Sequence, residues 1–565
     1  MKQTSTQFPS KRFLLASMIA CGLLTSNAYA DNTKAALPST KSLSSECANV
    51  LKDKPQDGPG TVILLARKGE LICSAARGMA DIEFGTSLLP QHKLRIGSVS
   101  KQFTAAALLK LMDQGKATLD DPLSKYYPKY PDGDKISLRQ LLNHTAGVGD
   151  ITRAPDFIEK TQKIDSTTED LIKLISVTPV DFAPGAGSRY SNSGYILLSA
   201  VIEKITGKRW DQALDELLFK PLNLKDTGWE NPDFPTKGLV RSYTQNSIGG
   251  VAPSEPLSMT VPQGAGALVS SVKDMWQWNE ALHGGKVLSA ASYQQMTTPQ
   301  GAAIKDNYGF ALIKREVQGK SALWHSGGIN GFISNLIYFP ESGISVVQIN
   351  NSDERAKPYY LQLAASALGA PFAVLKPAKW KEEELKSVQG VFSRDGVNRT
   401  IRLVGNELTT QRQGGQQVNL ITAAGERLGV AGDILSWFKV ERDAQGKVSG
   451  LEFHPQGNQT GELWKKIADL PVDTPSVQLN EAQMNRVLGK YAHPQFSVEV
   501  VRNKKGGLDI IPKGQPGAEM IAISPNKFRI TVVDASFEFD ADEPMANSVT
   551  LHQGPAVLKM ERVKN

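Results

Sequence analysis

Val99, Phe103, Ala106, Leu109 and Leu111 recur every two to four residues, Leu108 and Met112 widen the stripe, and Gly115 ends it. That spacing predicts a mostly buried helix whose first turn carries Ser98. Runs rich in Val, Ile and Leu predict strands at Gly60–Arg67 and Leu71–Ala76, joined by a Lys68-Gly69 hairpin. Further antiparallel strands are predicted at Leu323–Ile333, Ser334–Phe339 and Ile344–Asn350, in a set opened by Tyr308-Gly309-Phe310. Helices are predicted over Ser45–Leu51, within Ile136–Gly147, from about Tyr195 to Thr206, over Asp274–Leu282 and near Tyr360–Leu368. Helix, hairpin and buried helix, with later strands completing the sheet, give an α/β (α+β) domain in which an antiparallel sheet flanked by helices backs the Ser98 helix.

After Gly369-Ala370-Pro371 the pattern changes to short alternating strands and polar turns, and it repeats. Val388-Gln-Gly390-Val-Phe392 matches Val487-Leu-Gly489-Lys-Tyr491, Leu408 matches Leu508, and Trp437-Phe438 matches Ser536-Phe537. The offset stays near roughly 100 residues, which predicts two related small antiparallel β-barrel domains separated by the proline-rich linker Asp469–Pro475.

The first 30 residues have a different character. Lys2, Lys11 and Arg12 precede an apolar run from Phe13 to Leu24, and Ala28-Tyr29-Ala30 offers small residues for cleavage. This predicts a secretory signal peptide cut before Asp31, and hence a periplasmic or secreted protein, with lipid attachment at Cys21 a weaker alternative. The chain of 565 residues exceeds what one core can hold, and its 40% apolar and 21% charged residues are those of a globular protein. Removing the leader lowers the net charge from +7 to +4, and no basic block remains, so nucleic acid is not a predicted partner. Cys47 and Cys73 remain after cleavage, and in an oxidising compartment they can pair; Cys73 can equally be core packing.

Ser98 and Lys101, three apart on a helix, share one face. A hydroxyl beside an amine at a helix N-terminus is one way to make a serine nucleophilic. Tyr190 and Asn192, two apart in a Gly- and Pro-rich loop, can face one cavity. His325 precedes Gly327 and Gly328, which strip side chains from one stretch of strand, so that a ligand can approach backbone N–H groups. His144, at the end of a short capped helix, reads as a structural hydrogen-bonder. No metal-ligand cluster or cofactor motif is present in the sequence, and this chemistry calls for none.

Ser98-x-x-Lys101, Tyr190-x-Asn192 and His325-x-Gly327, in this order, resemble the three signature elements of the penicillin-recognising serine hydrolases. The resemblance spans about Gly60 to Asn350 and includes Leu141-Leu142-x-His144-Thr145-x-Gly147. It implies Ser98 as acylated nucleophile, Lys101 and Tyr190 as a proton relay, and Asn192 as an amide offered to the substrate carbonyl. It also implies an oxyanion site at the N–H groups of Ser98 and Gly328, and His325 orienting Tyr190 or the substrate. The implied layout is a signal peptide (1–30), a β-lactamase-like hydrolase domain (31–375) and two barrels (380–470 and 476–565), an order similar to bacterial D-aminopeptidases. A turn of the last barrel, Pro512–Met520, would then reach over the cleft, with Glu519 receiving a substrate ammonium. The implied activity is acyl transfer to water from a peptide, amide or ester, with release of N-terminal D-amino acids favoured. Alternatives are D-alanyl-D-alanine carboxypeptidase, esterase or weak β-lactamase activity and, from another class, a non-catalytic cell-wall-binding sensor. A small peptide, amide or ester is the implied partner, with a homodimer also open.

Overall fold

The computed structural model describes residues 37–565, except 155, 232, 234, 246–249, 354–356, 374, 458–459, 471–475, 494–495, 504–505, 514–516, 531–534, 541–543, 554–555 and 564–565. The leader, most of the Asp469–Pro475 linker and the middle of the Pro512–Met520 turn lie outside the described residues.

Six strands form the main sheet: β1 (Thr61–Arg67), β2 (Glu70–Arg77), β3 (Ile313–Val317), β4 (Lys320–Ile329), β5 (Phe332–Phe339) and β6 (Ile344–Asn350), in the order β3-β4-β5-β6-β1-β2. β1 pairs with β6 from Thr61↔Asn350 to Arg67↔Ile344, so the first hairpin and the last strand close the sheet on each other. Strand alternation then sorts the side chains. Val62, Leu64 and Ala66 pack with the Ser98 helix and its neighbours, whereas Ile63 and Leu65 pack with the terminal helices. Those terminal helices are α1 (Glu46–Leu51) and α6 (Tyr359–Ala367).

On the catalytic face, a 3-10 turn at Gly97–Val99 leads into α2 (Ser100–Asp113). α2 is buried nearly all round, from Ser100 to Leu109, because helices enclose it on several sides. α3 (Leu138–Leu142) begins with a capping box between Ser137 and Gln140. α4 spans Asn192–Thr206, three residues longer at its start than its apolar pattern predicts, because the Ser191 hydroxyl accepts the Gly194 N–H and caps it. Asn192 is therefore the first residue of a helix rather than part of a loop. The short helix Gln263–Gly266 wedges against α2 and α4, and a Cβ on Gly264 would meet Thr104 Oγ1 at 2.7 Å and Ser199 Cβ at 2.9 Å. α5 (Val272–His283) is capped by Ser271.

Beyond residue 380 stand two closed eight-stranded barrels, each with its own core. Each is preceded by a short helix, Glu382–Ser387 or Glu481–Val487, and each begins on a glycine with positive φ, Gly390 at 147° and Gly489 at 134°. A side chain at either glycine would meet the closing strand, at Lys466 and Ala468 or at Arg562. The paired positions of the repeat, Val388 and Val487, Phe392 and Tyr491, Phe438 and Phe537, are buried in their respective barrels.

Cys47 and Cys73 form a disulfide that ties α1 to the edge strand β2 across 26 residues. Closing a loop of this length restricts the unfolded chain and contributes about 3 kcal/mol. The Cys47→Ser, Cys73→Ser protein should lose about that much stability in urea titration, with the loss reproduced by adding reductant to the unaltered protein.

Candidate active site

The chain brings Ser98, Lys101, Tyr190 and Asn192 together. Lys101 is fully buried, and its Nζ lies 3.1 Å from Ser98 Oγ, 2.8 Å from Asn192 Oδ1 and 2.7 Å from the Ala265 carbonyl oxygen. Burial pushes its proton affinity down to about 7, and the charge of Asp150 opposes this in part. Two acceptors and one hydroxyl are the partners a neutral amine needs. The protonated amine donates to Asn192, Ala265 and Ser98, and on losing a proton it keeps N–H donors for Asn192 and Ala265 and turns a lone pair to the Ser98 hydroxyl.

Both ends of the Asn192 amide have a partner inside the protein, and one Nδ2 hydrogen remains. Its Oδ1 accepts from Lys101, and its Nδ2 donates to Asp150 at 3.1 Å. The amide that the sequence assigned to the substrate carbonyl is thus engaged inside the protein. Asp150 was not singled out from sequence, where a lone acid after Gly147-Val-Gly149 carries no spacing signal. Its buried carboxylate accepts from the Asn192 N–H (2.9 Å), the Thr152 N–H (3.0 Å) and the Thr152 hydroxyl (2.9 Å), and so fixes which way the Asn192 amide points.

Tyr190 lies close enough to Ser98 for the serine hydroxyl to act on its phenol, and Lys101 Nζ lies 4.8 Å from its ring centroid. The protein around it raises the phenol above its ordinary range, and the Ser98 hydroxyl pulls the other way. Since 40% of the residue still reaches solvent, the raising is largest when a substrate covers the cleft. His144 packs on Tyr190 at 4.4 Å between ring centroids, its Nδ1 accepts the Ser191 N–H at 3.3 Å, and its carbonyl accepts the Arg189 N–H at 3.1 Å. It thus holds the backbone on both sides of Tyr190, the structural part its position in sequence suggested.

The reading of His325 needs correcting. Its ring is buried, 6.3 Å from that of Tyr190, and its Nδ1 lies 2.6 Å from the Ser326 carbonyl oxygen. Because that oxygen only accepts, Nδ1 carries the hydrogen, and Nε2 accepts from the Tyr308 hydroxyl at 3.1 Å. Burial, with the Lys101 charge adding to it, pushes the imidazole down to about 3. His325 is therefore a neutral group whose hydrogen bond goes to Tyr308 rather than to Tyr190.

The two glycines after it differ in kind. A Cβ on Gly327 would strike the Ile96 carbonyl oxygen and the Ser334 hydroxyl, so Gly327 serves close packing of β4 on the Ser98 turn rather than ligand access. Gly328 is open to solvent, and a Cβ there would meet nothing. Its backbone lies against Gly97, where a Cβ would come 3.0 Å from Gly328 atoms, so strand and turn meet beside Ser98. β3 pairs with β4 up to Trp324 and leaves that side of the stretch from His325 to Ile329 to the Ser98 turn.

Glu519 does not join this group. It lies on the barrel strand Ala518–Ala522, exposed and opposite Asp509, and is not among the residues around the Ser98 cavity. At the start of the same turn, however, the charge of Lys513 reaches Asp156 and adds to Lys160 in lowering that carboxyl.

The family model for beta-lactamases matches residues 48–369. The chain belongs to the beta-lactamase family. Within that family it is 30% identical over 315 residues to PbpX of Bacillus subtilis, named as a penicillin-binding protein, covering 55% of this chain and 74% of that one. It is 28% identical over 331 residues to a D-aminopeptidase of Brucella canis, covering 57% of this chain but 61% of that enzyme's length. The D-amino acid amidase of Ochrobactrum anthropi SV3, solved with D-phenylalanine, superposes with a TM-score of 0.51 at 25% identity, over 58% of this chain and 98% of that one.

Two outcomes follow from the packing. Gly327→Ala should destabilise the fold by about 2 kcal/mol or more, whereas Gly328→Ala should change stability by no more than about 0.5 kcal/mol, both read by urea titration. Lys101 is held below its unfolded proton affinity, so its folded-state penalty is complete below pH 7 and is relieved as pH rises toward 10.5. Lys101→Met should therefore stabilise the protein by roughly 2–4 kcal/mol at pH 6, and that gain should shrink by pH 10.

Proposed function

We propose that this protein is an exported serine hydrolase that acts through an acyl-enzyme on peptide, amide or ester bonds beside a D-residue, with release of N-terminal D-amino acids as its leading activity. The observation that carries the reading is the desolvated Lys101 amine 3.1 Å from the Ser98 hydroxyl, with carbonyl acceptors for its own hydrogens. Kinship with a D-aminopeptidase and a D-amino acid amidase supports the choice of substrate. The leader and the Cys47–Cys73 disulfide support the location, periplasmic or secreted.

In this mechanism Ser98 Oγ attacks the carbonyl carbon while its proton passes to Lys101 Nζ. The carbonyl oxygen becomes an oxyanion against the N–H groups of Ser98 and Gly328. As the tetrahedral species collapses, the bond to the leaving group breaks. The leaving group takes a proton from the Tyr190 hydroxyl, and the Lys101 ammonium replaces it. Water then attacks the ester carbonyl and gives up a proton to the same pair; the bond between that carbon and Ser98 Oγ breaks, the carboxylic acid leaves, and Ser98 Oγ takes the proton back. Lys101 is the resting base, because its amine is half neutral near pH 7 while the Tyr190 phenol stays protonated. Asn192 and Asp150 hold the amine in register.

Activity should rise with pH through about 7 as Lys101 loses its proton, then level off. His144 and His325 are neutral well below that pH, so they do not supply this limb. D- and L-alanine p-nitroanilides, D-Ala-D-Ala, a p-nitrophenyl ester and nitrocefin, compared side by side, test the reading. The D-anilide should be cleaved at least about tenfold faster than its L counterpart, and equal rates would remove the D-preference. Ser98→Ala should lose about a thousandfold or more in kcat, and Tyr190→Phe about a hundredfold or more; activity retained in Ser98→Ala would sink the mechanism.

A further inference from the structure

Beside Ser98 lies a cavity of about 300 Å3 whose walls, Ser98 itself apart, take no part in the proton transfers above. Ile151, Phe157, Ile158, Ile196, Val261 and Ile329 line it with apolar surface. Besides the Ser98 hydroxyl, four uncharged polar side chains reach it, and each donates at least one hydrogen bond to the protein itself. The Thr152 hydroxyl and the Asn192 amide donate to Asp150, at 2.9 and 3.1 Å. The Gln162 amide donates to the Pro256 carbonyl at 3.2 Å, and the Asn330 amide to the Glu255 carbonyl at 3.0 Å. No charged side chain is among the described residues that line it. A charge entering this space would lose water without gaining an oppositely charged partner, so it is disfavoured.

The cavity also has a side relative to the chemistry. Ser98 and Gly328 belong to its wall, so a group lodged there is attached to the carbon that Ser98 attacks. Tyr190, which serves the leaving group, is not part of that wall. Ile158 is 60% exposed and sits on the π-helical turn Phe157–Thr161, a backbone form frequent at functional sites. We infer that this cavity is the acyl-side pocket and selects an uncharged, apolar side chain of leucine to phenylalanine size. The inference rests on the hydrolase reading above and narrows it: alanine leaves the pocket underfilled, and acidic or basic side chains are rejected.

The test keeps the leaving group constant and varies the acyl side. D-Ala, D-Leu, D-Phe, D-norleucine, D-Glu and D-Lys p-nitroanilides are compared by kcat/KM with the full-length protein. D-Leu and D-Phe should exceed D-Ala by roughly ten- to fiftyfold, as three or more added carbons are buried. D-norleucine should exceed D-Lys, which differs from it chiefly in charge, by at least as much. In Ile158→Asp, which places a carboxylate on the exposed rim, the norleucine-to-lysine ratio should fall about tenfold or more, and an unchanged ratio in folded variant overturns the pocket. So do flat rates across the series, or a preference for D-Ala, D-Glu or D-Lys in the unaltered protein, and these leave the hydrolase reading standing. Absence of turnover on every member overturns both.

Discussion

Everything in the catalytic region turns on keeping one amine dry. Lys101 enters the core from the first turn of a helix that is buried on nearly every side, and no carboxylate touches it directly. A direct ion pair would hold the proton on and silence the amine. Asp150 is instead placed one amide away, with Asn192 between them. Its charge still moderates the loss of proton affinity, but its oxygens are taken up by Asn192 and Thr152. The result is an amine poised near neutrality, assembled from groups that each have an ordinary structural hydrogen bond.

That arrangement needs three segments to approach more closely than side chains normally permit, and glycine is found where they do. Gly264 lets the Gln263–Gly266 turn slide between α2 and α4, which carries the Ala265 carbonyl to the amine. Gly327 seats β4 on the Ile96 carbonyl, and Gly97, at φ 49°, turns the chain into Ser98 against Gly328. Close backbone approach and the lack of room for water are two sides of one packing solution.

Much of this was legible in the sequence because it is periodic or local. Alternation in Val62–Ala66 assigns side chains to two faces of a sheet, and the roughly 100-residue echo of Val388–Phe392 in Val487–Tyr491 announces a duplicated barrel. Ser98 and Lys101 share a helical face whatever the tertiary fold. What could not be read were partnerships across long separations. Nothing in the spacing links Asp150 to Asn192, 42 residues away, or Tyr308 to His325. Sequence therefore could not show that the Asn192 amide bridges Lys101 and Asp150, or that the His325 ring turns to Tyr308. The expectation for Glu519 went astray for the same reason, since strand register rather than composition decides which way an acid faces.

The pairing of Thr61 with Asn350, whose side chains are joined by a hydrogen bond spanning 289 residues, gives this architecture a built-in delay. The sheet beneath the nucleophile cannot close until β6 has arrived, however early Ser98 is made, because non-local pairing pays its loop entropy first. A chain that has not yet folded consequently carries an ordinary, water-exposed lysine, protonated beside its serine. The lowered proton affinity of Lys101 is thus acquired in one late step, as the sheet closes.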